Sequence, residues 1–165
     1  MLSDYGFPWD RVIGRFKFGD EPELAKPLAQ ALAQRVWDSA AQVGVDGLIP
    51  MPLAPTRLRE RGYNQSWELA RHLGRLLGIP ARPDLLRRWR ETPPQAGLSR
   101  AERQRNLSHA FGTEADSRTT VNGQHWVLID DVLTTGATAD SAARALLDSG
   151  ARQVDVWVIA RTPET

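Results

Sequence analysis

Asp130 and Asp131 stand side by side after the apolar run Trp126, Val127, Leu128 and Ile129, and Thr134, Thr135, Gly136, Ala137 and Thr138 follow them closely. Two adjacent carboxylates can accept from hydroxyls or hold a cation. Small hydroxyl residues around a glycine let the backbone approach a ligand and offer it N–H and O–H donors, so Thr134 to Thr138 reads as an anion cradle. A diol-binding acid pair and a phosphate cradle on one short loop imply a ligand carrying both ribose hydroxyls and a 5′-phosphate. The bland alternative, an acid pair in a solvated turn before an N-capped helix, leaves the agreement of so many positions to chance.

The elements that must position these residues are a strand and a helix. Trp126 to Ile129 lacks alternation, as expected of a strand buried on both faces of a parallel sheet. It is expected to stop at Asp130 and Asp131, which puts the acids where open α/β sheets bind ligands, in the crevice beyond the strand ends. From about Ala139, the spacing Ala139, Ala142, Ala143, Leu146, Leu147 gives one helical face. The cradle therefore opens onto a helix N-terminus and its partial positive charge, and Gly150 supplies the stop. With these features in view, Val127 to Thr138, V-L-I-D-D-V-L-T-T-G-A-T, resembles the phosphoribosyl pyrophosphate motif of type I phosphoribosyltransferases. That resemblance implies an α/β fold with a central, mainly parallel sheet flanked by helices, a small hood and a flexible loop. It also implies that the acids hold the ribose hydroxyls and that the T-T-G-A-T loop holds the 5′-phosphate.

At 165 residues the chain suits one domain, able to bury roughly 70% of its unfolded surface. It has no cysteine, which excludes disulfides and thiolate zinc sites. His72, His109 and His125 have no ligand spacing and are expected at the surface or partly buried. No apolar run approaches a membrane span, and Asp4, Asp10, Arg11, Arg15 and Lys17 interrupt the first twenty residues, so a cytoplasmic protein is expected. The net charge of +1 hides an asymmetry: Arg57 to Arg105 holds twelve arginines against five acids, net +7, which leaves −6 elsewhere. The middle of the chain either faces something anionic or is well solvated.

Along the chain, Arg11 to Phe18 reads as a short helix packing on the core. Leu24, Leu28, Leu32 and Val36 mark an amphipathic helix covering a sheet face. Val45 to Leu53 contains a strand that must end near Pro50. Arg57, Arg59 and Arg61 alternate on an extended stretch or spread around a helical turn, Gly62 breaks it, and Asn64 caps a helix that buries Leu69, Leu73, Leu76 and Leu77. Asp84 to Arg90 reads as a strand or extended segment, and Thr92 to Gly97 as a loop of strong breakers. Ser99 and Glu102 form a capping box for a helix carrying Arg100, Arg103 and Arg105. Glu114 to Gly123 is expected to be a surface hairpin or loop, and Val154 to Ala160 another buried parallel strand.

Pro50 to Pro52, R-L-R-E-R-G-Y-N-Q at Arg57 to Gln65, Gln95, Arg103 to Asn106 and the D-D-V-L-T-T-G-A-T loop together resemble the ComF family of competence-associated phosphoribosyltransferase-like proteins. The opening Y-G-F-P-W-D-R-V-I-G-R-F-K-F resembles that family's N-terminal helix. Met51 departs from the valine usual between the prolines. Members commonly carry a cysteine-rich zinc-binding segment before that helix, so this chain is expected to be either a short member or a truncated one.

The resemblance implies a glycosyltransferase-class phosphoribosyltransferase. It would bind phosphoribosyl pyrophosphate with Mg2+ and transfer the ribosyl 5-phosphate group to an acceptor that no motif specifies, in a setting of DNA uptake or use. Asp130 and Asp131 would be catalytic and near the metal. Arg57, Arg59 or Arg61 would face the pyrophosphate, and Thr92 to Asn106 would fold over the substrate. A rival reading is a non-catalytic protein holding single-stranded DNA, or other competence proteins, on the same scaffold, with Tyr63, Trp67 and Trp89 stacking along a basic groove. A Mg2+-dependent phosphatase or receiver-type pocket accounts for the acids and leaves T-T-G-A-T unexplained.

Overall fold

The structure, a computed structural model, describes residues 3–89 and 110–162. The expected Thr92–Asn106 loop, the Ser99–Glu102 capping box with its helix, Arg90, Gln95 and His109 lie outside the described residues. The elements run β1 (Ser3–Asp4), α1 (Trp9–Phe18), α2 (Ala25–Val43, preceded by a 3-10 turn at Pro22–Leu24), β2 (Gly47–Pro50), α3 (Pro55–Arg61) and α4 (Gln65–Leu77). They continue as β3 (Arg87–Arg88), β4 (Phe111–Gly112), α5 (Arg118–Val121), β5 (His125–Leu133), α6 (Ala137–Asp148) and β6 (Gln153–Arg161).

Four strands form one sheet in the order β1-β6-β5-β2, and every pairing in it is parallel. β5 is central: Gly47 to Pro50 pair with Trp126 to Ile129 on one side, and β6 pairs along it from His125↔Gln153 to Leu133↔Arg161 on the other. Successive side chains of a strand point to opposite faces, so a strand covered on both faces reads as continuously apolar. Accordingly Val127 and Ile129 join Leu48, Ile159 and residues of α1, α2 and α4 in one core. Trp126 and Leu128 join Ile49, Leu85, Leu86, Phe111 and the Ala139, Ala142, Leu146 face of α6 in the other. Leu69, Leu73, Leu128 and Ile129 are among the fully buried side chains, each contributing roughly 1.5–3 kcal/mol by its removal from water.

Several elements depart from the sequence reading. β5 does not stop at Asp130, because β6 continues to pair with it as far as Leu133; the acids lie within its last turn of ladder. Of the described residues in the Asp84–Arg90 segment, Arg87 and Arg88 form a strand, in an antiparallel ribbon with Phe111 and Gly112. Glu114–Gly123 is neither hairpin nor open loop but a 3-10 turn and α5, since Val121 is buried and its carbonyl accepts the Trp126 indole N–H at 3.2 Å. His125 is fully buried, with Nε2 2.9 Å from Asp155 Oδ2. No helix among the described residues is long and apolar enough to cross a membrane.

Asn64 links sheet and helix layers. Its side-chain oxygen accepts from the Ser66 and Trp67 amides at 2.9 and 3.3 Å, capping α4, and its amide donates to the Met51 carbonyl at 3.1 Å, just beyond β2. Asn64→Ala removes both functions and is expected to lower unfolding stability by about 1–2 kcal/mol. A urea unfolding midpoint equal to wild type would contradict this assignment.

Candidate functional site

The acid pair is held from three directions. Asp131 is 2% exposed; its Oδ1 lies 2.9 Å from Lys17 Nζ and accepts the Val132 amide at 2.6 Å. Asp130 Oδ1 accepts the Ser66 hydroxyl at 3.0 Å and the Asp131 amide at 2.9 Å. Ser66 sits in the first turn of α4, fixed by the Asn64 cap. Lys17 comes from the last turn of α1, whose Ile13 and Phe16 are buried and whose Phe16 carbonyl accepts the Tyr63 hydroxyl. Lys17 was not legible as a site residue: it reads as the basic end of an amphipathic helix, and nothing in the sequence couples position 17 to position 131.

Burial and the neighbouring Asp131 charge push the Asp130 carboxyl up to about 7, against the Asp131 amide, Lys17 and the Ser66 hydroxyl, which favour its ionised form. Asp131 has the ammonium contact, and Asp130 holds a proton toward neutrality. Asp131 Oδ2 is buried and has no hydrogen-bond partner. A buried acceptor of this kind suits a hydroxyl or a cation arriving with the ligand. Mg2+ is commonly held by one or two carboxylates together with substrate phosphates. The pair fits that manner of binding, and no group of three or more potential ligands gathers among the described residues to make a protein-only site.

Thr134 to Thr138 lead into α6, which begins at Ala137, two residues earlier than expected. Gly136 precedes the helix with φ +78 and contributes no side-chain cap, which leaves the first amides of α6 without a side-chain acceptor. A Cβ there would have room, its nearest neighbour being Asp140 Oδ2 at 4.0 Å. The glycine is required by backbone conformation rather than by crowding. Thr134, Gly136 and Thr138 line a crevice of about 230 Å³ together with Asp130, Asp131, Lys17, Arg57, Arg61 and Arg88. Thr135 is exposed, and neither it nor Ala137, the first residue of α6, is part of that lining.

The three arginines lie on a helical turn, α3, and part company there. Arg57 and Arg61 line the crevice. Arg59 lines only an adjoining cavity of about 710 Å³, and its Nε donates to the Pro55 carbonyl at 3.3 Å. Arg88, read from the sequence as part of a basic strand, reaches the crevice with its guanidinium 5.5 Å above the Phe111 ring. Its partner strand comes from the far side of the undescribed segment, so the spacing along the chain gave no sign of that placement.

No protein-family model matches the chain. It is 37% identical over 164 residues to DNA utilization protein YhgH of Salmonella typhi, covering 98% of this chain and 70% of that protein. It is 34% identical over 164 residues to competence protein F of Haemophilus influenzae, covering 98% and 71%. Competence protein ComFC of Bacillus subtilis is 33% identical over 143 residues, 84% of this chain and 53% of that one. Among solved structures, the glutamine phosphoribosylpyrophosphate amidotransferase from B. subtilis, complexed with ADP and GMP, superimposes with a TM-score of 0.57 at 19% identity. The match covers 88% of this chain and 30% of the amidotransferase. A hypoxanthine phosphoribosyltransferase from Trypanosoma cruzi, complexed with IMP, gives a TM-score of 0.51 at 14% identity over 87% of this chain and 76% of that one. These likenesses show the fold, that of the type I phosphoribosyltransferases.

The acid pair makes a pH prediction. Asp130 keeps its proton to about pH 7 in the folded chain and only to about pH 4 once unfolded. Between those limits the folded state binds the extra proton, so this group's contribution to stability falls as pH rises through the window. Asp130→Asn should flatten that slope in urea unfolding followed from about pH 4 to about pH 7. A slope unchanged in the variant would contradict the raised value.

Proposed function

The chain belongs to the family of DNA utilization protein YhgH and competence protein F, and from that premise we propose that it binds phosphoribosyl pyrophosphate with Mg2+ and transfers the ribosyl 5-phosphate group to an acceptor. The observation that carries this reading is the gathering of the acid pair, the Thr134–Thr138 turn at the start of α6 and the guanidinium groups of Arg57 and Arg61 around one crevice. Asp130 and Asp131 accept from the ribose hydroxyls. The Thr134 and Thr138 hydroxyls and the backbone at Gly136 take the 5′-phosphate, with Thr135 and Ala137 completing the turn. Arg57 and Arg61 face the pyrophosphate. In the transfer, the bond from ribose C1 to the pyrophosphate oxygen breaks with its electron pair leaving on oxygen, and the nucleophile bonds to C1. The residues' task is to position the sugar and to hold the charge that develops on the leaving group. Mg2+, held near Asp130 and Asp131 and on the pyrophosphate, would supply further neutralisation of that leaving charge.

The names of the relatives associate the family with DNA utilisation and competence, and we extend that association to this chain. A second reading, a non-catalytic protein holding single-stranded DNA on the same scaffold, is favoured by one feature: Trp89 is 56% exposed next to Arg87 and Arg88. Tyr63 and Trp67 support it less. Tyr63 packs 6.3 Å from the Phe16 ring, and Trp67 is half-buried in α4.

The two readings differ in their response to salt. Phosphoribosyl pyrophosphate with Mg2+ should raise the melting temperature at low and at moderate salt, corresponding to about 2.7 kcal/mol at a hundredfold excess over Kd. Binding to single-stranded DNA should weaken steeply as salt rises, because it depends on counterion release. Gly136→Val, whose side chain disfavours the φ +78 backbone, should abolish the ligand-induced shift. A wild-type shift in that variant would move the phosphate cradle elsewhere. Salt-sensitive DNA binding with no response to phosphoribosyl pyrophosphate would establish the second reading instead.

A further inference from the structure

The larger cavity beside the crevice is lined in part by Phe18, Asp20, Arg59 and Glu60, which the transfer reading does not use. It lies between the C-terminal end of α1 and the α3–Tyr63 segment, and Lys17, Arg57 and Arg61 line both it and the crevice. Phe18 stands in its wall 78% exposed. The Arg61 guanidinium lies 5.0 Å over that ring, and Arg61 Nη1 is buried without a hydrogen-bond partner. The chain turns directly after Phe18 through Asp20, whose φ of 54 is the one positive value at a non-glycine position among the described residues. Arg59, absent from the crevice, lines this cavity together with Asp20, Glu60 and Tyr63.

We propose that this cavity is a binding site for a nucleotide unit, a planar base joined to a phosphate, either free or within a single strand. The exposed Phe18 ring, backed by a guanidinium, offers a stacking face that every base can use. Arg57 and Arg59 supply the charge for the phosphate. Asp20 and Glu60 are acceptors for base N–H groups, so the lining is matched to a base with its phosphate rather than to a polyanion alone. The binding rests on these residues by themselves; only the cavity's service as the acceptor side of a transfer rests on the phosphoribosyl pyrophosphate reading.

The test titrates the full chain, at low salt, with deoxyadenosine monophosphate by calorimetry and with a fluorescent deoxyadenosine hexanucleotide by anisotropy. A hexameric abasic strand of equal charge serves as control. Wild type should bind the hexanucleotide about tenfold more tightly than the abasic strand. Phe18→Ala, a change at an exposed position, should remove that preference, Phe18→Tyr should retain it, and Arg59→Ala should weaken both base-bearing probes. Equal affinity for nucleotide and hexanucleotide would support the site as one for a free nucleotide, and a strong preference for the strand would support single-stranded DNA. Binding of base-bearing and abasic strands alike, or a Phe18→Ala variant that keeps the preference, would overturn the proposal. The Phe18→Ala comparison and the abasic control read the cavity rather than the acid pair, so a failure of phosphoribosyl pyrophosphate to bind leaves them interpretable.

Discussion

Two carboxylates side by side near the end of a strand covered on both faces create an electrostatic constraint that several elements serve. Removing an ionised carboxylate from water costs several kcal/mol unless charge or hydrogen bonds compensate it. Here the compensation comes from Lys17 for Asp131, from Ser66 for Asp130, and from the amides of Asp131 and Val132. Each donor depends on a packed helix. α1 is fixed by Ile13 and Phe16 in the core and by the Tyr63 hydroxyl at its last turn; α4 is fixed by its Asn64 cap and its buried leucines. The compensation is incomplete, since Asp130 is pushed up to about 7 and Asp131 Oδ2 lacks a partner. A site whose acceptors are partly unmet before the ligand arrives is prepared for a ligand that brings hydroxyls or a cation.

The same cations connect two concave regions. Lys17, Arg57 and Arg61 line both the acid crevice and the cavity containing Phe18. Occupancy of one region by an anion should therefore change the field in the other. The arrangement brings the Thr134–Thr138 turn, a pair of acids and the exposed Phe18 ring near shared charges, and the proposed ligands would lie side by side there. The relatives' association with DNA utilisation and competence is physically compatible with such a surface.

Much of this was legible in the chain. The unalternating apolar run at Trp126–Ile129 gave a strand buried on both faces, and Val154–Ala160 pairs in parallel as expected, with Trp157–Ala160 buried and Val154–Val156 half-buried. Asn64 was legible as a cap because an Asx side chain before a helical apolar stripe has few other uses. The placement of the acid pair and the T-T-G-A-T turn between a strand and a helix was legible because that segment is local. What escaped was non-local. Lys17 meets Asp131 across more than a hundred residues, Arg88 is placed by a strand from beyond the undescribed segment, and the separation of Arg59 from Arg57 and Arg61 follows from the helical turn of α3. The burial of His125, read as a surface or partly buried residue, depends on pairing β5 with β6, where Asp155 meets its ring. The ladder likewise continues past Asp130 because β6 is long enough to pair there, a property of the partner strand.

Recognition of a ribose phosphate by Asp130 and Asp131 in this crevice is open to calorimetric titration of phosphoribosyl pyrophosphate with Mg2+ into wild type and the Asp130→Asn, Asp131→Asn double variant. The variant keeps the shape of both side chains while removing their charge, and its circular dichroism should match wild type. Binding to wild type should be saturable, and affinity should be weaker by about a hundredfold in the variant, equivalent to roughly 2.7 kcal/mol. Equal affinity in the two proteins, both folded, would contradict it.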